Sequence, residues 1–114
     1  MSKKIWHLCK AEEISPGTVK QIELHDASSE AFALFNLGGV FHLTEDTCTH
    51  GFASLSQGTL DDHIIICPLH GGAFDILTGK AYEAPCTLPI KKYRVWREGE
   101  DVVSDLSVIE QPAE

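Results

Sequence analysis

The sequence predicts an all-β protein, and three features of its pattern support that prediction. Short runs such as Thr18 to Leu24 alternate apolar and polar residues, which is the period of a half-buried strand. Glycine and proline pairs such as Pro16-Gly17 and Gly38-Gly39 separate these runs as turns. No segment has the longer period of an amphipathic helix. With 114 residues, the chain is expected to form one domain, an antiparallel β-sandwich or barrel.

The first half of the chain is expected to form four strands. Residues 3–9 are anchored by Trp6 and Leu8, and a turn at residues 12–17 leads into the alternating strand from Thr18 to Leu24. Residues 25–30 form a polar loop. The apolar runs at residues 31–35 and 40–43 form a hairpin across Gly38-Gly39, since paired glycines favour the tight turns of hairpins.

The second half is expected to contain shorter elements. Strands are predicted at residues 60–66, which end in three isoleucines, and at residues 73–75, followed by a turn at 76–80. Residues 84–89 are extended and bounded by proline. Further strands are predicted at residues 90–97 and 102–106, and residues 107–114 are expected to be a loose acidic tail.

Two short motifs offer a set of metal ligands. Cys48-Thr49-His50-Gly51 is a C-x-H pair, and Cys67-Pro68-Leu69-His70-Gly71-Gly72 contains a C-x-x-H pair. Each spacing is short enough to direct a thiolate and an imidazole at one site, and the glycines allow the backbone to turn tightly. The two loops together supply two Cys and two His.

This donor set suits either zinc or an iron–sulfur centre. Structural zinc sites usually keep like ligands together in C-x₂₋₄-C and H-x₃₋₅-H pairs, whereas each loop here mixes the two ligand types. A [2Fe–2S] cluster of the Rieske type requires that mixture, because two Cys hold one iron and two His hold the other. Structural zinc remains the alternative on spacing alone.

From about Ile5 to Leu106 the chain resembles the Rieske proteins, and most of all the soluble Rieske-type ferredoxins of bacterial aromatic-ring-hydroxylating dioxygenase systems. The two loops carry this resemblance, with Ala73-Phe74-Asp75, Thr78-Gly79-Lys80 and the stretch around Pro85. It implies a single Rieske domain over residues 1–106, in which a cluster-binding subdomain at about residues 45–82 is inserted into a β-base. It also implies that Cys48, His50, Cys67 and His70 hold one [2Fe–2S] cluster per chain.

The function implied by the resemblance is that of an electron carrier and not of an enzyme. The carrier would pass single electrons from an NADH-dependent ferredoxin reductase to the terminal oxygenase of the dioxygenase system. The alternative from another class is the small Rieske subunit of an assimilatory nitrite reductase, and a third is a zinc-stabilised interaction module. The sequence names neither the aromatic substrate nor the reductase.

Charge and hydropathy restrict the partners. The net charge of −8 argues against nucleic acid, which needs a basic surface. No run approaches the ~18 apolar residues of a membrane span, and no secretory signal is apparent, so a cytoplasmic protein is expected. Cys9 and Cys86 are then expected to be reduced and structural. Of the remaining histidines, none has a cysteine at ligand spacing and none is assigned to the metal: His7, His25, His42 and His63.

The runs around the ligands contain no charged residue. Asp, Glu, Lys and Arg are all absent from Thr47 to Leu60 and again from Ile64 to Phe74. An apolar patch with a polar rim suits brief docking of electron-transfer partners, and we expect the reductase and oxygenase to dock near Phe52 and Leu69. Leu55 is expected to pack inside the subdomain.

The sequence also departs from the respiratory Rieske pattern. Those proteins carry two extra cysteines, at the positions of Ala53 and Leu69, and a Ser and a Tyr, at the positions of Gly72 and Phe74. Without hydroxyls that hydrogen-bond to sulfur, the reduction potential is expected to be low.

Overall fold

The computed structural model describes residues 4–24, 31–47, 53–68, 71–84 and 89–109. Within them the chain forms twelve short strands: β1 (Trp6–Lys10), β2 (Thr18–Glu23), β3 (Ala31–Leu37), β4 (Val40–Glu45), β5 (Thr59–Asp61), β6 (Ile64–Ile66), β7 (Ala73–Asp75), β8 (Ala81–Glu83), β9 (Lys92–Tyr93), β10 (Trp96–Glu98), β11 (Asp101–Ser104) and β12 (Val108–Ile109). The described residues contain no α-helix, only single 3₁₀ turns at Ala11–Glu13 and Leu55–Gln57. The predicted all-β class is confirmed.

The strands form three antiparallel sheets. One has the order β1-β11-β10, the second has the order β12-β9-β4-β3-β2, and the third has the order β5-β6-β7-β8. In the five-stranded sheet, β2 and β3 pair in continuous register from Thr18↔Asn36 to Glu23↔Ala31. The hairpin of β3 and β4 turns at Gly38-Gly39, as predicted, and both glycines have positive φ (64° and 97°), where a side chain would be strained.

Strand β3 is buried on both faces and separates two hydrophobic cores. Ala33 and Phe35 enter one core, whereas Phe32 and Leu34 point to the opposite face and enter the other. Alternate residues of a strand face opposite sides, so an uninterrupted apolar run serves both cores. The second core includes an edge-to-face contact between Phe32 and Tyr93, whose ring centroids are 5.2 Å apart.

The four-stranded sheet is inserted between two strands that are direct neighbours. Strands β4 and β9 pair through Leu43↔Tyr93 and Thr44↔Lys92, and all of β5 to β8 lies between them in sequence. Lys92 also links the insertion to the base, because its buried ammonium donates a hydrogen bond to the Leu77 carbonyl oxygen at 2.9 Å. The insertion therefore leaves and re-enters the base at adjacent points.

Two of the predicted strands are wrong, because the structure divides each of them into two separate strands. Residues 60–66 are divided into β5 and β6 by a turn at Asp62, which has a φ of 56°. Aspartate tolerates this left-handed conformation better than most residues, so the turn needs no glycine. Residues 90–97 are likewise divided, since β9 pairs with β4 and β12 whereas β10 pairs with β11 in another sheet.

Other elements were not foreseen. Strand β8 pairs with β7, and the 3₁₀ turn at Ala11–Glu13 lies where a simple turn was expected. Val108 and Ile109, assigned to a loose tail from residue 107, form β12 and pair with β9. The polar loop at residues 25–30, most of the extended stretch around Pro85 and Cys86, and residues 110–114 lie outside the described residues.

Gly58 lies where two backbone segments of the insertion pack closely against each other. A Cβ added there would overlap the Ile66 carbonyl oxygen and would lie 3.1 Å from the Leu55 carbonyl oxygen. Both contacts are with backbone, which cannot rotate away as a side chain can. The segment after the 3₁₀ turn therefore approaches the end of β6 as closely as a glycine permits.

We predict that Gly58→Ala lowers the free energy of unfolding by about 3 kcal/mol, the upper part of the range for overpacking. The matched control is Gly99→Ala, where φ is 65° but the added Cβ meets open space. That change should cost only about 1 kcal/mol of backbone strain. Urea unfolding followed by tryptophan fluorescence measures both. A smaller loss for Gly58→Ala than for Gly99→Ala would contradict the close packing.

Candidate metal centre

The second cluster loop is closed at its base by the β6–β7 pair. Ile66↔Ala73 is the last strand pair, and the Cys67 N–H then donates to the Gly72 carbonyl oxygen at 2.6 Å. Gly71 takes a φ of 75°, a conformation that favours glycine. Cys67 is 4% exposed and Gly72 is buried. The loop thus begins at a buried thiol held by the end of a strand.

The first cluster loop is closed in a comparable way. Thr47 and Ser54 form a β-bridge, and the Leu55 N–H donates to the Asp46 carbonyl oxygen at 2.6 Å. Residues 48–52, which include the predicted ligands Cys48 and His50, lie outside the described residues. Both ends of the segment that carries them are therefore fixed to each other.

The bases of the two loops share one hydrophobic core. Leu55 follows the first loop, Cys67 begins the second, and Phe74 follows it; all three are buried in the same cluster as Ile65. Ala53 packs against that cluster. The expectation that Leu55 packs inside the subdomain is confirmed, since it is 0% exposed. The structure thus brings the bases of the two loops to one core, and of the four predicted ligands it describes Cys67 alone.

The donor chemistry around these loops fits an iron–sulfur group. Cys67 presents a buried thiol to the core, and Ser56 has a buried hydroxyl with no hydrogen-bond partner in the described chain. A buried polar atom of this kind calls for a partner, and sulfur is a weak acceptor that such a hydroxyl can use. Among the described residues, no three His, Cys, Asp or Glu side chains gather into a set that could hold a metal ion. The other described cysteine and histidines therefore offer no competing donor set of their own.

The positions that distinguish this chain from the respiratory pattern are partly described. Phe74 is 0% exposed and packs in the core beside Cys67, and Gly72 is buried. Ala53 is half-buried against the same core, whereas Leu69 lies outside the described residues. Neither Phe74 nor Gly72 has a hydroxyl with which to donate a hydrogen bond.

The described histidines outside the motifs are each held by the fold. His7 contacts Asp101 at 2.9 Å and His63 contacts Asp75 at 3.0 Å. His42 is half-buried in β4, where burial, and secondarily the charge of Lys92, lowers the pKa of its imidazole. His25 lies outside the described residues.

Cys9 and Lys92 are two other buried titratable groups. Burial raises the pKa of the Cys9 thiol, and the Glu13 carboxylate adds to that effect. Burial lowers the pKa of Lys92, and the charge of Asp75 partly opposes the shift. Cys9 belongs to the second core and not to the core that contains Cys67, which agrees with its interpretation as a structural residue.

Asp46 is the residue at this site that sequence reasoning missed. It is 1% exposed, and its carboxylate accepts hydrogen bonds from Gln21 and Ser56. In the sequence it follows Glu45 and resembles one of two solvated acids at a turn. The signal that could have singled it out is its position two residues before Cys48, at the edge of the uncharged run.

No helix among the described residues has the length and apolar character needed to cross a membrane.

Comparison with known proteins agrees with this geometry. The model of the Rieske [2Fe-2S] domain family matches residues 4–94. Ferredoxin CarAc of Metapseudomonas resinovorans is 45% identical over 103 residues, covering 89% of this chain and 94% of the relative. The biphenyl dioxygenase ferredoxin subunit of Pseudomonas sp. strain KKS102 is 43% identical over 100 residues, covering 87% and 89%.

A solved structure extends the likeness to three dimensions. A chain in the complex of reduced oxygenase and oxidized ferredoxin in carbazole 1,9a-dioxygenase superposes with a TM-score of 0.83 at 37% identity. The match covers 99% of this chain and 100% of that one. The clamped loops, the mixed Cys and His pairs and these matches agree, and the chain belongs to the Rieske [2Fe–2S] domain family.

Proposed function

We propose that this protein is the ferredoxin of an aromatic-ring-hydroxylating dioxygenase system. It takes single electrons from an NADH-dependent ferredoxin reductase and passes them to a terminal oxygenase. The observation that carries the proposal is the pair of closed loops on one core, each with one Cys and one His in its sequence. Relatives that are 43–45% identical are named as ferredoxins, one of them of biphenyl dioxygenase, so the nitrite reductase interpretation is the weaker one.

Four residues of this chain would hold the cluster. Cys48 and Cys67 would ligate one iron, and His50 and His70 would ligate the other. When bound, the [2Fe–2S] cluster supplies reversible one-electron transfer. Four protein ligands leave no open position for a substrate, and the chain itself therefore transforms no substrate.

The remaining residues position and shield this centre. The bridge at Thr47 and Ser54 and the closure of the second loop at Cys67 fix the bases of both loops on one core. Phe74 and Ile65, both 0% exposed, exclude water from the inner side. We propose the uncharged segments around Phe52 and Leu69 as the docking tip for both partners.

The assignment extends to the chain as a whole. We place one Rieske domain over the chain as far as β12 (Val108–Ile109), which pairs with β9, with its cluster-binding subdomain at about residues 45–82. Cys9 is buried and forms no disulfide, which suits the reducing cytoplasm that we propose as its compartment.

The ligand assignment predicts that the purified protein is brown and contains iron and acid-labile sulfide in equal amounts. His50→Ala, His70→Ala, Cys48→Ser and Cys67→Ser should each lose the visible spectrum, because one iron then keeps a single protein ligand. Cys9→Ser and Cys86→Ser are the controls and should retain it. A colourless protein that holds one zinc per chain would refute the proposal.

For docking, we predict that Phe52→Ala or Leu69→Ala slows electron transfer to the oxygenase while the visible spectrum and potential stay near those of the wild type. The reason is that small electron-transfer contacts depend on few apolar side chains. Stopped-flow transfer rates measure the effect, with the exposed Leu77→Ala as the matched control away from the proposed tip. Unchanged rates in both tip variants would move recognition to the acidic surface.

The absence of hydroxyls at Gly72 and Phe74 predicts a reduction potential of roughly −150 mV, at the low end of the Rieske range. Gly72→Ser with Phe74→Tyr should raise it, because hydrogen bonds to sulfur stabilise the added negative charge. If the hydroxyl at position 74 finds no acceptor, its burial should instead lower stability by about 1–3 kcal/mol. Protein-film voltammetry and thermal unfolding distinguish these results, and a native potential of several hundred millivolts positive would contradict the assignment.

A further inference from the structure

The side chain of Asp46 is buried, and each of its two oxygens accepts a hydrogen bond. The residue is 1% exposed. Its Oδ2 accepts a hydrogen bond from Gln21 Nε2, and its Oδ1 accepts one from the Ser56 N–H, each at 2.8 Å. Both oxygens of the side chain are thus occupied by N–H donors.

The same residue joins three parts of the chain around the first cluster loop. Its backbone N–H donates to the Ala31 carbonyl oxygen at 3.1 Å, and its carbonyl oxygen accepts from the Leu55 N–H at 2.6 Å. With the two side-chain bonds, Asp46 ties β2, the start of β3 and the 3₁₀ turn at Leu55–Gln57 to the point where the loop leaves β4. The loop's exit and return are thus both held by one residue.

This arrangement is costly for stability alone. A buried carboxylate loses its hydration, and in the described chain no Lys, Arg or His donates to this one to compensate. An asparagine could hold the same Ser56 N–H without the cost of a buried charge. The residue is thus an acid at a position where its amide would preserve the same contact with Ser56.

We propose that Asp46 is the positioning residue of the first cluster loop and that its negative charge lowers the reduction potential of the centre held there. The proposal rests on the proposed function for the identity of the ligands. Asp46 lies two residues before Cys48, so their Cα atoms are at most about 7 Å apart. A negative charge at this range disfavours the addition of an electron.

The expected size of the effect follows from Coulomb's law. At a separation of about 10 Å and an effective dielectric constant of about 20, one charge changes the equilibrium between reduced and oxidised forms by about tenfold. Tenfold corresponds to about 59 mV for a one-electron couple. The direction is fixed by the sign of the charge, and removing it raises the potential.

The test compares two substitutions at Asp46. Asp46→Asn keeps an acceptor for the Ser56 N–H, and the Gln21 amide can turn over to accept from the new amide. This variant should retain iron and sulfide. Its potential should rise by the amount that corresponds to an about tenfold change in the equilibrium constant between the reduced and oxidised forms. Voltammetry at constant pH and salt measures it. Asp46→Ala removes both anchors and should lose most of the iron and sulfide, or lose them many times faster to a chelator.

Asp62→Asn is the matched control. It removes the same charge from the exposed turn between β5 and β6, at the end of β6 opposite Cys67, and asparagine suits the positive φ there. Its potential should stay close to that of the wild type.

The outcomes separate the two proposals. A wild-type protein without iron and sulfide would overturn the proposed function, and this inference with it. A wild type with its cluster, but with an Asp46→Asn potential no higher than that of Asp62→Asn, would overturn the inference alone. Full iron and sulfide in Asp46→Ala, with unchanged release to a chelator, would overturn the positioning role.

Discussion

The burial of β3 on both faces is the constraint on which the rest of the structure depends. Phe35 and Ala33 supply the core beneath the cluster loops, and Phe32 and Leu34 supply the core of the remaining base. A one-residue shift in its pairing with β2 or β4 would exchange these two sets. The continuous register of β2 with β3 and of β3 with β4 prevents that shift, and it thereby fixes where β4 delivers Asp46 and the first loop.

The two buried ionisable groups near the insertion are held in different ways. Lys92 donates to the Leu77 carbonyl oxygen and has the charge of Asp75 nearby. Asp46 has two neutral N–H donors and no cationic donor in the described chain. The lysine fastens the insertion to the base, whereas the aspartate lies beside the loop that carries the proposed ligands. Burial alone therefore does not indicate a redox role. What distinguishes Asp46 is that its charge lies beside the loop that carries the proposed ligands.

Local pattern was sufficient for the strands that form hairpins, and insufficient where a partner in another sheet decides the structure. The alternation in β2 and the paired glycines after Leu37 predicted their elements because the information is local. The turn at Asp62 was missed, since the isoleucines after it continue an apolar run and no glycine marks the break. Strand β12 was missed because two residues with no alternation form a strand only when β9 is beside them.

The same limit applies to the site. Ligand spacing singled out Cys48, His50, Cys67 and His70, and the structure describes only Cys67, at the end of the strand that was expected to deliver it. The role of Asp46 depends on Gln21 and Ser56, which are distant in sequence and carry no motif. Such a residue is recognised by its burial and its partners, and neither property is written in the order of the residues.

The direct pairing of β4 with β9 has a consequence for folding. Leu43 and Tyr93 become neighbours only after the whole insertion has been closed into a loop, and that closure costs chain entropy before it gains any contact. A group that binds the folded insertion and not the unfolded chain favours this closure by mass action. Assembly of the cofactor and completion of the base sheet are therefore coupled, and each reduces the entropic cost of the other. This coupling joins two different sheets, that of β5 to β8 and that of β4 and β9.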